Sequence, residues 1–219
     1  MKNNVTELLF ILDRSGSMSG LESDVVGGFN ATLKKQREEE GSLLVSTVLF
    51  ANESTVLHDR VAGDDVSPMT EEDFCVGGCT ALLDAVGGAI RHIGNIHKYA
   101  RPEDVPEHTV FVITTDGQEN ASRHFTQREV KAMIERQREK YGWEFLFLAA
   151  NIDAVKAASS IGISRKRAAG FRPTDEGVEA CYAMACTAIS RSRRLEDFLL
   201  EDLEDSEESG EKSAKKAKK

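Results

Sequence analysis

No apolar stretch of the 219 residues approaches the roughly 20 needed to cross a membrane as a helix. The first such run, Leu8-Leu9-Phe10-Ile11-Leu12, is broken at once by Asp13, too early for the apolar region of a secretory signal, so the chain is expected to stay in the cytoplasm. Basic residues are short as well: 28 Lys and Arg face 37 Asp and Glu, for a formal charge of −9, which argues against nucleic acid as the main partner. Cysteine is scarce, falling as Cys75-x3-Cys79 and Cys181-x4-Cys186. In a cytoplasmic protein these are expected to be reduced, and a five-residue separation on a helix turns Cys181 and Cys186 away from one another rather than toward a shared zinc. The five histidines (His58, His92, His97, His108 and His124) have no zinc-ligand spacing, and no glycine-rich Walker-type loop signals an NTPase. No internal repeat is present.

What the sequence does contain is alternation. Leu8–Leu12, Leu43–Phe50, Thr109–Thr115 and Glu144–Ala150 read as buried strands, and Ala168–Phe171 as a last edge strand. Between them lie helical patterns at 23–40, 80–96, 126–141 and 154–161, and a final one at 175–193 follows Thr174 as its N-cap. Ser54–His58 follows Leu43–Phe50 after so short a link that the two should pair antiparallel, at a sheet edge. Near-continuous apolar strands alternating with helices predict an α/β class: a doubly wound, Rossmann-like, mostly parallel sheet with one antiparallel edge strand and helices on both faces. Gly27-Gly28 and Gly87-Gly88 fall inside two of the helices, where each glycine costs about 1 kcal/mol relative to alanine, and this suggests close helix–sheet approach. The expected domain covers residues 1–194. Beyond it, the acidic stretch Glu196 to Glu208 and the lysine-rich end at 212–219 have the composition of a disordered tail.

Chemistry concentrates in three loops. Asp13-Arg14-Ser15-Gly16-Ser17 sets one carboxylate and two hydroxyls at alternate positions where the first strand should leave the sheet. Gly77-Gly78-Cys79-Thr80 brings a hydroxyl to the start of a helix, and Thr114-Thr115-Asp116-Gly117 puts a carboxylate at the tip of the best central strand. Ligands of open α/β sheets gather at that end of the strands, and hard oxygen donors suit Mg²⁺ or Mn²⁺. A plainer reading has Ser15 and Ser17 merely capping the next helix. It accounts for one loop and leaves Thr80 and Asp116 without a reason.

The set resembles the metal-ion-dependent adhesion site of von Willebrand factor type A domains. The family's Asp-x-Ser-x-Ser motif falls on Asp13, Ser15 and Ser17, its second-loop threonine on Thr80 and its third-loop aspartate on Asp116. The resemblance spans roughly residues 6–193 and is carried by the type and order of all five. It implies an ion held by the hydroxyls of Ser15, Ser17 and Thr80, with Asp13 and Asp116 acting partly through water. Few negative charges would then touch the metal, which would accept a carboxylate from a partner. Gln118, Glu119 and Asn120, just after Asp116, are expected at the rim of such a site.

The implied function is non-enzymatic: a cation-dependent module that recognises an Asp or Glu side chain of a protein partner, in the setting of an ATPase or a multiprotein assembly. The alternative is a Mg²⁺-dependent phosphotransfer enzyme or hydrolase with Asp13 as nucleophile. That chemistry usually needs a second carboxylate as acid or base, and here the residue two positions after Asp13 is Ser15.

Overall fold

Strand β1, Val5–Asp13, is buried from Thr6 onward and forms the centre of the molecule. In the computed structural model, which describes residues 4–150, 153–172 and 174–194, it is flanked by parallel neighbours on both sides. The sheet runs in the order β3 (Ser54–Ala62), β2 (Ser42–Phe50), β1, β4 (His108–Thr115), β5 (Glu144–Ala150), β6 (Ala168–Phe171), and only β3 is antiparallel to its neighbour. The doubly wound α/β sheet with one antiparallel edge is therefore the observed architecture.

Alternation along each strand divides the core. Leu8, Phe10 and Leu12 of β1 join Val110, Val112, Leu146 and Leu148 on one face, under α1 (Glu22–Arg37) and α5 (Asp175–Arg193). Leu9, Ile11, Phe111, Ile113, Phe145 and Phe147 line the other, under α2 (Leu82–Tyr99), α3 (Gln127–Tyr141) and α4 (Ala154–Ser160). Each such side chain contributes roughly 1.5–3 kcal/mol by leaving water, so a one-residue slip of any central strand would exchange the two cores.

Several boundaries differ from the sequence reading for local reasons. The β3 strand continues past His58 to Ala62, pairing with β2 as far as Leu44; a register shift around Thr47 and a left-handed φ of 52° at Arg60 break the two-residue pattern that would have revealed its second half. Helix α2 starts at Leu82, so Thr80 stands in the loop before it. Helix α3 opens on a reciprocal capping box between Thr126 and Glu129 and ends on the left-handed Gly142. Thr174 caps α5 by accepting the Gly177 N–H at 3.2 Å, as expected. The paired glycines do not serve a helix–sheet approach. A Cβ on Gly28 would sit 2.4 Å from the Tyr182 ring of α5, and one on Gly87 would sit 2.6 Å from the Phe125 ring, while nothing lies within 4 Å of Gly27 or Gly88. One glycine of each pair makes room for an aromatic side chain. The expected tail at 195–219 lies outside the described residues.

Candidate metal centre

Connections from β1 lead outward through β2 and β3, and those from β4 lead the other way through β5 and β6. The chain thus reverses direction between β1 and β4, and the crevice beyond their carboxyl ends is where open α/β sheets bind ligands. Asp13 is the last residue of β1, and Asp116 follows the last residue of β4. The topology alone brings the first and third loops together.

Hydrogen bonds join them. Asp13 is fully buried; its Oδ1 accepts the Ser15 N–H at 2.8 Å and its Oδ2 accepts the Thr115 hydroxyl at 2.6 Å. The Ser15 and Ser17 hydroxyls lie 3.1 Å apart, and the Ser17 hydroxyl donates to Asp116 Oδ1 at 2.7 Å. Neither serine caps a helix through its side chain. Ser15 opens a single 3-10 turn (Gly16–Met18) without a side-chain bond, and α1 begins only after Leu21. The capping reading of these serines fails.

The second loop is laced to the first. Gly77 N–H donates to the Arg14 carbonyl at 2.8 Å, and Gly16 N–H donates to the Gly78 carbonyl at 3.1 Å. Gly78 has a φ of +81°, and a Cβ there would overlap Asn52 Oδ1, which itself accepts the Cys79 N–H at 2.6 Å. Thr80 is bracketed by Asn120, whose Oδ1 accepts the Thr80 N–H at 2.9 Å and whose N–H donates to the Thr80 carbonyl at 3.0 Å. A Cβ on Gly117 would lie 3.0 Å from Thr80 Oγ1 and 3.3 Å from Ser17 Oγ, which locates both hydroxyls around one small space. All five residues singled out in the sequence therefore fall in one cluster.

Burial pushes the Asp13 carboxyl above its ordinary pKa, opposed by the Thr115 and Ser15 hydrogen bonds, and the nearby Asp116 carboxylate adds to the rise. Burial also raises the Asp116 pKa, against the hydrogen bond from Ser17. Among the described residues no Lys or Arg forms an ion pair with either, and the Arg14 guanidinium is turned to Thr55 Oγ1 at 2.9 Å. Asp116 Oδ2 is buried with no hydrogen-bond partner at all. Two carboxylates buried without a counter-cation, one with an orphaned oxygen, are costly unless a positive charge joins them. Three hydroxyls and two carboxylates form a hard-oxygen donor set, so the residues fit a divalent cation of the Mg²⁺ or Mn²⁺ kind. Among the described residues no group of three or more His, Cys, Asp or Glu side chains is placed to hold a metal, and any ion here would depend on the hydroxyls.

The expected rim residues do unlike things. Gln118 is exposed. Glu119 is spent on structure: Oε1 accepts the N–H groups of Ala121 and Ser122, and Oε2 accepts the Ser122 hydroxyl and the Leu83 N–H in the first turn of α2. Asn120 positions Thr80, as above. Sequence reasoning missed Asp84, whose carboxylate accepts three successive backbone N–H groups, from Arg123, His124 and Phe125, and so anchors the far end of the third loop to α2. It also missed Asn52. Asp84 lies four residues after Thr80 and could have been found by that proximity, whereas Asn52, 27 residues from the Cys79 N–H it accepts, carries no local signal.

No protein-family model matches the sequence, and neither does any curated protein. Solved structures do match. Proximal thread matrix protein 1 from the mussel byssus is 16% identical, with 85% of this chain and 46% of that one aligned at a TM-score of 0.56. A von Willebrand factor type A protein from Catenulispora acidiphila is 12% identical over 88% of this chain and 43% of its own, at 0.57. The fold is von Willebrand factor type A-like. A further structure of the mussel protein, with a zinc-occupied metal-ion-dependent adhesion motif, aligns at 17% identity and a TM-score of 0.54 over 83% and 46% of the two chains. This chain spans less than half the length of each of these proteins. Among its described residues, no helix of the von Willebrand factor type A-like unit is long and apolar enough to cross a membrane.

Proposed function

We propose that the chain is a divalent-cation-dependent protein-binding module that recognises a partner's Asp or Glu side chain. The observation that carries this reading is the buried, unpartnered Asp116 Oδ2 in a cluster otherwise joined by hydroxyls. Ser15, Ser17 and Thr80 would hold the ion through their hydroxyls, with Asp13 and Asp116 balancing its charge partly through water. The bound ion would supply a Lewis-acidic position for an incoming carboxylate oxygen. Hydrogen bonds from Ser15 N–H and Thr115 keep Asp13 fixed, the Asn120 bracket keeps Thr80 in place, and Glu119 and Asp84 tie the third loop to α2. The zinc-occupied motif of the mussel protein supports divalent binding in this fold, and Mg²⁺ or Mn²⁺ is our choice from the oxygen donors. An intracellular ATPase complex or other multiprotein assembly is the setting we propose.

The nucleophile reading of Asp13 finds no support in its surroundings. Both carboxylate oxygens accept hydrogen bonds and the side chain is fully buried. The test is capture of a partner on the immobilised chain in Mg²⁺ against chelator. Retention that needs Mg²⁺, is lost in Thr80→Ala and is competed by free glutamate-rich peptide is the expected result. Partner retention that ignores chelator, or phosphatase activity abolished by Asp13→Asn without any partner, would replace this reading with another.

A further inference from the structure

At the opposite end of the strands from the candidate metal centre, the carboxyl-terminal half of α2, the last turns of α3 and the segments entering β4 and β5 line a cavity of about 670 Å³, within the usual range for small-molecule sites. Helix α2 begins beside Thr80 and is 18 residues long, so its far end lies about 27 Å from the candidate metal centre. The cavity is lined by Arg91, Lys98 and Arg136, and not one Asp or Glu lines it. In a chain with nine more acidic than basic residues this is a marked local excess of positive charge. None of the three forms an ion pair among the described residues; Arg91 lies over the Phe125 ring at 5.0 Å and Lys98 over the Tyr99 ring at 5.0 Å.

The wall between these cations is aromatic. His97 and Trp143 meet edge to face at 5.3 Å, but Trp143 is buried and stacked on Phe111, so half-exposed Tyr141 is the lining ring with the most open surface. His97 is held from behind: its Nε2 is bonded to Glu7, a wholly buried carboxylate on β1 that also receives Arg60. That leaves Nδ1 as the ring nitrogen able to meet a ligand. Apolar Ile90, Val105 and Met133 complete the lining.

We propose that this cavity binds a small organic phosphate with a planar ring, its phosphate groups met by Arg91, Lys98 and Arg136 and its ring set against Tyr141 and the edge of His97. One-signed charge in a concave site concentrates anions, and guanidinium groups suit phosphate oxygens. The aromatic wall distinguishes a nucleotide-like ligand from phosphate alone. This inference is independent of the metal-centre reading.

The test is calorimetric titration of the full chain with ATP in EDTA, so that no cation can recruit the phosphates elsewhere. Tripolyphosphate, adenosine and an oligoglutamate peptide serve as comparison probes. The expected result is saturable ATP binding, at least about tenfold tighter than tripolyphosphate or adenosine, and weakened about tenfold or more in Arg136→Gln and in Lys98→Gln. Both replaced side chains are exposed, so these variants should fold like the parent, as circular dichroism will show. Absence of ATP binding at millimolar concentration, ATP binding unchanged in both variants, or tighter binding of oligoglutamate than of ATP would each overturn the proposal.

Discussion

Asp116 carries two opposing demands at one side chain. Its Oδ2 is buried and unpartnered, and burial raises its pKa, so in the cation-free chain a charge there is a cost. Asp116→Asn should therefore leave the melting temperature in chelator unchanged or raise it slightly, while divalent-ion binding falls by about tenfold or more. A variant that melts much lower in chelator would mean that Asp116 is structural. Asp84 behaves in the reverse sense. Burial acts to raise its pKa, yet three backbone N–H donors outweigh it and hold the carboxyl below the ordinary aspartate value. A depressed pKa contributes stability that is complete above the unfolded-state value and is lost as pH falls through the folded one. Asp84→Asn should cost about 1–2 kcal/mol at neutral pH, much as losing a helix cap does, and the difference from the parent should shrink toward pH 3 in urea titrations. A cost that is the same at pH 3 and pH 7 would sink this account.

At the scale of elements, the sequence signal was strongest where one period held without interruption. Leu8–Leu12 and Val110–Ile113 are apolar on both faces, which only a central parallel strand between two helical layers requires, and both were legible. The second half of β3 was not, because a register shift and a left-handed Arg60 interrupt its alternation. Nor was the start of α2, whose N-terminal N–H groups are served by Glu119 and Ser122 from a loop some 40 residues away rather than by a local cap. The glycine pairs were noticed but their partners could not be, since Tyr182 and Phe125 are distant in sequence. This yields a sharp contrast. Gly28→Ala and Gly87→Ala should destabilise by about 1–3 kcal/mol through overpacking, whereas Gly27→Ala and Gly88→Ala, with open space at the Cβ, should stabilise by up to about 1 kcal/mol. Chemical denaturation of the four variants checks it, and equal effects within each pair would refute the packing argument.

For the molecule as a whole, the alternation of strands and helices implied the fold class, but the order of strands in the sheet supplies what spacing could not. Placing β1 beside β4 links Asp13 to Asp116 through three successive hydrogen bonds, by way of Ser15 and Ser17, although 102 residues separate Asp13 from the Thr115 that binds it. That Asp13, Ser15, Ser17, Thr80 and Asp116 belong together was legible from residue type and order, and the structure gathers them in one cluster. The roles of the residues around them were not: Glu119 and Asn120 were expected only at a rim, and Thr115, Asn52 and Asp84 were given no role, because side chains that bond to a backbone or a carboxylate distant in sequence follow no period. In the function proposed above, three loops build one cation site from hydroxyls as much as from carboxylates. Titration with Mn²⁺ followed by electron paramagnetic resonance, on the full chain and on Thr80→Ala, tests it most directly. About one saturable ion per chain is expected, with affinity lowered about tenfold or more by removing that hydroxyl; equal Mn²⁺ affinity in the two proteins would refute a hydroxyl-built site.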